Sequence, residues 1–106
     1  MSLKWPNKDP DEILDYSIDW SRFLSGATLS SVTWFVDDAD GVKTQLIPSG
    51  QLVKGIQLIS ATNTNKVATA RLGSGDNNIE YQFYCRIADT NGLVVERKVR
   101  LRVRNK

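Results

Sequence analysis

The sequence of 106 residues contains no histidine and a single cysteine, Cys85. These two absences exclude a Ser-His-Asp triad, a Cys-His pair, a histidine-ligated metal, a zinc site of thiolates and an internal disulfide. No apolar run approaches the ~20 residues that a transmembrane helix needs. The N-terminus also lacks the apolar segment of a secretory signal, so we expect a protein that is made in the cytoplasm and is not exported.

Length and composition indicate one globular domain over residues 1–106, because 41% of the residues are hydrophobic and 25% are charged. The net charge of +2 is too small to favour nucleic acid or an anionic membrane by itself. Charge is unevenly distributed, with acids near the N-terminus and bases in residues 97–106. The first ~8 residues are expected to form a loose arm.

Apolar and polar side chains alternate from Tyr81 to Ile87 and again from Val95 to Val103, a period of two that a half-buried strand can use and a helix cannot. Asn91-Gly92 lies between these stretches and favours a tight turn with two positive φ angles. The C-terminal third is therefore predicted to be a long β-hairpin.

Shorter runs of the same kind cover residues 14–20, 32–36, 42–47, 55–61 and 66–72, bounded by turn-forming residues. About seven strands at this spacing predict an all-β fold, an antiparallel β-sandwich. One helical alternative stays open, because Asp9-Pro10-Asp11-Glu12 has the residues of a capping box and Pro10–Leu14 could form one helical turn.

The sandwich is predicted to be immunoglobulin-like. Tyr81 and Cys85 share one face of the penultimate strand, ahead of the predicted hairpin turn, and Trp34 then corresponds to the buried tryptophan of an early strand. With one cysteine, the disulfide of antibody domains cannot form. Cys85 is expected to be a small buried hydrophobe rather than a reactive thiol.

Carboxylates do not form a recognisable catalytic or metal-binding pattern. Residues 37–41 crowd three aspartates into a turn, but a calcium loop of the EF-hand type also needs a glutamate at fixed spacing, which is missing. The other acidic residues are predicted to lie in turns or on the solvent-exposed faces of strands. No two of their carboxylates are therefore expected to form the buried pair that glycoside hydrolysis needs. We therefore expect no enzymatic activity, no metal and no cofactor.

Four basic side chains, those of Lys98, Arg100, Arg102 and Arg104, are predicted to lie on one face of the last strand. Their spacing of ~6.6–6.8 Å suits phosphate contacts. The alternative is a solvated face whose charges pair with carboxylates such as Glu80 or Glu96 on neighbouring strands. Only one aromatic side chain, Tyr84, lies on that side, which disfavours binding of single-stranded nucleic acid.

Four residues are candidates for protein contact: Trp5, Pro6, Phe35 and Tyr84. The indole of Trp5 has nothing local to bury it, so it either folds back onto the domain or inserts into a partner. Phe35 and Tyr84 are out of phase with the predicted core positions and point away from them.

The sequence resembles a family of small tailed-phage and prophage proteins described as fiber-tail adaptor proteins. The similarity is carried by residues 8–12, 14–21 and 31–34, with their Asp-Pro-Asp and Asp-Trp-Ser runs, and by the closing strand, residues 96–104. The resemblance implies an immunoglobulin-like structural module of the virion that joins tail, neck or head components and has no catalytic residues.

The leading hypothesis is a virion protein that contacts other phage structural proteins, takes no small-molecule substrate, and self-associates in a symmetric ring. Two alternatives remain. One is an immunoglobulin-like binding module of a bacterial cell surface, and the other is a nucleic-acid-binding protein that uses the basic last strand.

Overall fold

The computed structural model describes residues 3–105 of the chain. These residues form eight strands and one short helix. In chain order the elements are β1 (Leu3–Lys4), β2 (Leu14–Asp19), α1 (Ser21–Leu24), β3 (Leu29–Asp37), β4 (Lys43–Gln45), β5 (Ile56–Asn63), β6 (Val67–Ser74), β7 (Ile79–Asp89) and β8 (Val94–Val103).

The strands form two sheets that pack face to face. One sheet has five strands in the order β1-β8-β7-β3-β4, and the other has three in the order β2-β6-β5. Every pair of neighbours is antiparallel except β1 and β8, which run parallel. The predicted all-β sandwich is confirmed. The seven predicted strands correspond to β2–β8, and β1 is an additional strand.

Alternation along the strands explains which side chains meet between the sheets. On β8, Val99, Leu101 and Val103 are fully buried, whereas the intervening basic residues are not. On the facing sheet, β6 buries Ala68, Ala70 and Leu72. Removal of these apolar surfaces from water is the main force that holds the two sheets together.

Tryptophan rings occupy both the centre and one end of the core. Trp34 on β3 lies opposite Cys85 on β7 and is 2% exposed, as the sequence predicted for it. The ring of Trp5 lies 5.8 Å from that of Trp34 and 4.9 Å from that of Tyr16. Trp20 is also buried, with the Arg97 guanidinium 5.6 Å from its ring centroid.

Residues 3–8 differ from the loose arm that the sequence predicted for the first ~8 residues, of which Met1 and Ser2 lie outside the described part of the chain. Their backbone follows β8, because the amides of Trp5 and Lys8 donate to the carbonyls of Arg100 and Arg102. The side chain of Lys8 is fully buried, and its Nζ donates to the carbonyl oxygens of Asp9 (2.9 Å) and Ser74 (2.5 Å). Burial of Trp5 and Lys8 thus holds residues 3–8 against the sandwich.

The helical turn that the sequence left open at residues 10–14 does not form. Glu12 Oε1 accepts from the Asp9 amide, as in a capping box, but the backbone makes a single turn and then enters β2. The helix of the structure is α1, which the sequence analysis missed. It begins two residues after the end of β2 and ends at Leu24, where Ser25 follows as the C-cap with a φ of 45°.

The β7–β8 hairpin forms as predicted, but its turn differs from the expected one. Between the strands, Gly92 has a positive φ of 85° and Asn91 does not. The carboxylate of Asp89 instead accepts from the amides of Asn91 and Leu93, each at 2.9 Å. A side-chain cap therefore organises a wider, four-residue turn in place of the two-residue turn.

Replacement of Trp34 by alanine tests the packing of the core. Trp34→Ala should lower the free energy of unfolding by about 3–5 kcal/mol, because it removes a buried ring and leaves a cavity. Arg102→Ala, on the opposite face of the sheet, is the control and should change it by no more than about 0.5 kcal/mol. Urea denaturation measures both, and an unchanged midpoint for Trp34→Ala would contradict this assignment.

Candidate contact face

The outer face of the five-stranded sheet, which points away from the core, carries most of the residues that the sequence singled out. Strand registers arrange its side chains in rows across the sheet, because residues that pair across strands share a face. One row contains Lys4, Arg100 and Gln82, whose Nε2 donates to Asp37, and continues to Lys43, the cross-strand partner of Asp37. The next contains Lys98, Tyr84, Phe35 and Gln45.

An aromatic cluster occupies the centre of this face, formed by Phe35, Tyr84, Lys43, Arg86 and Glu96. Phe35 and Tyr84 are direct cross-strand partners. Lys43 Nζ lies 4.5 Å from the ring centroid of Tyr84, and the Arg86 guanidinium lies 4.8 Å from that of Phe35. Cation–π attraction of this kind favours one arrangement of otherwise flexible side chains.

Carboxylates neutralise the cations of the aromatic cluster. Glu96 accepts from Lys43 at 2.7 Å and forms a second ion pair with Arg86 at 3.1 Å. At the edge of the cluster, the Tyr84 hydroxyl donates to Asp37 Oδ2 at 3.0 Å. The cluster is therefore a cross-linked surface whose two cations are balanced by Glu96 and the adjoining Asp37.

The charge environment is reflected in the titration of Glu96. The hydrogen bond from Lys43, with the additional attraction of Arg86, lowers the pKa of Glu96 below its ordinary value of 4.5. The carboxylate is thus favoured in the folded protein more than in the unfolded chain. The stabilisation from this group is present above pH 4.5 and is lost as the pH falls through the lower, folded-state pKa.

A basic strip borders the aromatic cluster on the β8 and β1 side. It consists of the four predicted residues, Lys98, Arg100, Arg102 and Arg104, together with Lys4, whose position on β1 is opposite Arg100. Glu80 on β7 lies 3.5 Å from Arg100 and 3.9 Å from Arg102. In residues 3–105, Lys4, Lys98 and Arg104 take part in no ion pair.

The structure places the four candidate contact residues differently. Trp5 folds back onto the core, the first of its two alternatives, and its indole Nε1 donates to the Ser17 carbonyl. Pro6 is exposed. Phe35 is half-buried and Tyr84 is 7% exposed, both outside the hydrophobic core, as alternation predicted.

Sequence analysis did not find the aromatic cluster as a unit. Alternation placed Arg86 and Tyr84 on one side of β7, and it named Glu96 as a partner for basic residues. No sequence signal connects Lys43 to this group, because its contacts with Glu96 and Tyr84 arise only once β3 pairs with β7 and β4 pairs with β3. Lys4 likewise joins the basic strip only through the pairing of β1 with β8.

Polar or nucleophilic groups also occur in the turn after β3, in a cleft beside β4 and at Cys85. Asp38 Oδ1 accepts from the amides of Asp40 and Val42, so this carboxylate closes the turn after β3. A cleft of 210 Å³ beside β4 is lined by Thr44, Gln45, Ile47, Gln51 and Val53, none of them ionisable. Burial raises the pKa of the Cys85 thiol to about 12 and keeps it protonated.

Two absences hold for residues 3–105. No helix there is long and apolar enough to cross a membrane. No group of three or more acidic or cysteine side chains in the same range is placed to hold a metal ion.

Fold and face together define a small β-sandwich protein with an ordered, charged outer sheet face. A family model described as "Podophage GP4 fiber-tail adaptor protein gp77" matches residues 8–102, and the chain belongs to this family. The resemblance expected from the sequence is confirmed. The protein is thus a phage structural protein of the tail-adaptor type, a virion component in contact with other tail proteins. Among curated proteins none matches the chain.

The ion pairs of Glu96 predict a pH-dependent contribution to stability. Glu96→Gln should lower the free energy of unfolding at neutral pH by at most about 1 kcal/mol, because the pairs are partly exposed. The difference from wild type should shrink at an acid pH below the lowered pKa of Glu96, where the carboxylate is protonated. Glu80→Gln, whose ion pairs are longer, is the matched control with a smaller expected effect. Urea denaturation midpoints at both pH values measure the effect. A stability difference between Glu96→Gln and wild type that grows in acid would contradict the proposed ion pairs of Glu96.

Proposed function

We propose that this protein is a non-enzymatic structural adaptor of the phage tail, and that the outer face of its five-stranded sheet is its contact surface. The family match over residues 8–102 carries the proposal, since it spans the sandwich from Lys8, which bridges to Val103, to Arg102 of β8. Adaptors act by holding neighbours in place, and a rigid sheet face suits that task better than mobile loops.

The residues of the site support contact rather than catalysis. The Cys85 thiol is fully buried and protonated, the cleft beside β4 has no ionisable lining, and the chain has no histidine to act as a base. The polar groups of the aromatic cluster are engaged with one another and with the adjoining Asp37 in ion pairs and hydrogen bonds. A surface of this kind offers shape and charge to a partner.

We also infer that the sandwich is immunoglobulin-like. The sheets follow the order expected for such a domain, with β7 between β3 and β8 in one sheet and β2, β6 and β5 in the other. Tyr81, near the start of β7, supports the same inference. Its hydroxyl accepts from the Asp76 amide at 2.8 Å and donates to the Lys54 carbonyl at 2.6 Å, as in a tyrosine corner.

Quantitative proteomics of density-purified particles tests the adaptor role. The chain should occur at a constant ratio to the tail proteins across preparations, because a structural component has a set copy number. A ratio that matches the symmetry of the tail would also support a ring of copies assembled in the host cell. Absence of the chain from particles, despite its abundance in the lysate, would contradict the proposal and favour the cell-surface or nucleic-acid-binding alternative.

Truncation of Phe35 tests whether the outer face is the contact surface. Phe35→Ala removes the half-buried ring at the centre of the aromatic cluster and should reduce incorporation into particles about ten-fold, the effect of losing a moderate interface anchor. Leu93→Ala, an exposed apolar residue at the hairpin tip, is the matched control and should leave incorporation unchanged. Equal incorporation of both variants, with unchanged melting temperatures, would show that the contact surface does not include the aromatic cluster.

A further inference from the structure

We propose that the basic strip, Lys4, Lys98, Arg100, Arg102 and Arg104, is the docking site for a carboxylate-rich segment of a neighbouring tail protein. This inference rests on the proposed adaptor function and adds to it the location and the chemistry of one contact. The juxtaposition of β1 with β8 creates the strip, since it brings Lys4 beside Arg100.

Charge within the strip is left uncompensated by the protein itself. Five cations share a single carboxylate, that of Glu80, which leaves a net charge of +4. Glu80 lies at 3.5 Å and 3.9 Å from its two arginines, and Lys4, Lys98 and Arg104 take part in no ion pair of the described chain. Like charges on adjacent strands destabilise a sheet, so an external anion would relieve their repulsion.

In the neighbouring aromatic cluster, by contrast, the cations are paired with a carboxylate of the same face. There, Lys43 and Arg86 share Glu96 at 2.7 Å and 3.1 Å. The same sheet therefore holds one region whose cations are both paired with a carboxylate and one region with surplus positive charge. Surplus charge on one part of an interface steers an oppositely charged partner to that part and sets its orientation.

Geometry favours a polypeptide as the source of the anions. Lys98, Arg100 and Arg102 are alternate residues of β8, and Arg104 directly follows its last residue. Alternate residues of a strand are ~6.6–6.8 Å apart, a repeat that equals the spacing of alternate side chains in an extended segment. From Val99 onwards the backbone of β8 is paired with β7 on one side and with residues 3–8 on the other, so the segment would lie across the face through its side chains.

Nucleic acid fits the same strip less well. Binding of single strands uses exposed rings on which bases stack, beside the basic groups. The ring next to the strip is that of Tyr84, which is 7% exposed, lies beneath Lys43 and donates its hydroxyl proton to Asp37. No free aromatic surface remains there for a base.

Carbodiimide cross-linking of purified particles tests the proposal directly, because the reagent joins lysine amines to carboxylates that are already in contact. Mass spectrometry should find Lys4 and Lys98 joined to aspartate or glutamate of another tail protein. Lys66, an exposed lysine in the turn between β5 and β6, serves as the internal control and should not be joined to that protein. The same digest measures the amount of the chain on the particles, so the adaptor role is scored separately.

Charge reversal in a complemented phage deletion provides the second readout. Arg100→Glu with Arg102→Glu should lower incorporation into particles at least about ten-fold, because like charges then face the acidic segment. Lys4→Glu with Lys98→Glu, which leaves the Glu80 ion pairs intact, should do the same. Arg22→Glu with Lys66→Glu makes an equal change in net charge away from the strip and should remain within about two-fold of wild type.

Four outcomes would overturn the proposal while the adaptor role stands. One is normal incorporation of both reversed variants. The others are absence of lysine cross-links from the strip on particles that contain the chain, cross-links only to a second copy of this chain, and ultraviolet cross-linking of residues 98–104 to DNA. Melting temperatures near that of wild type for the reversed variants confirm that the changes act on docking and not on folding.

Discussion

The register between β3 and β7 is the constraint on which the rest of the structure depends. It sets Trp34 opposite Cys85 on the inner side and Phe35 opposite Tyr84 on the outer side. Because strand side chains alternate with a period of two, a slip by one residue would send Trp34 to solvent and Phe35 into the core. One register therefore creates both the tryptophan-centred core and the aromatic cluster.

The N-terminal segment depends on the same arrangement. Trp5 can be buried only because Trp34, Phe83 and Tyr16 already form an apolar surface, and the backbone beside Trp5 then pairs with β8. Lys8 completes this attachment through the carbonyl of Ser74 at the end of β6. The segment thus contacts both sheets, and it carries Lys4 to the outer face.

A tail adaptor has to be rigid and has to distinguish its neighbours. In this protein the two requirements are met in adjacent parts of one sheet face. The aromatic cluster uses its charges internally and so maintains the shape of the face, while the basic strip leaves charge available to a partner. This division follows from carboxylate placement, with Glu96 central to the cluster and Glu80 alone beside the strip.

Local side-chain pattern alone was enough to predict much of this molecule. Alternation identified the seven longer strands, the inward position of Trp34, the outward positions of Phe35 and Tyr84, and the basic residues of β8, since the period of two is a property of the extended backbone. The family resemblance was also visible in the Asp-Pro-Asp and Asp-Trp-Ser runs.

Long-range packing decided the rest. Whether Trp5 was buried depended on a surface made by residues distant in sequence, and burial of Lys8 depended on carbonyls from another strand. The grouping of Lys43 with Glu96 and of Lys4 with Arg100 required the strand order itself. Alternation determines which side of its own strand a residue occupies, whereas neighbours across strands are set by the free energy of the whole sandwich.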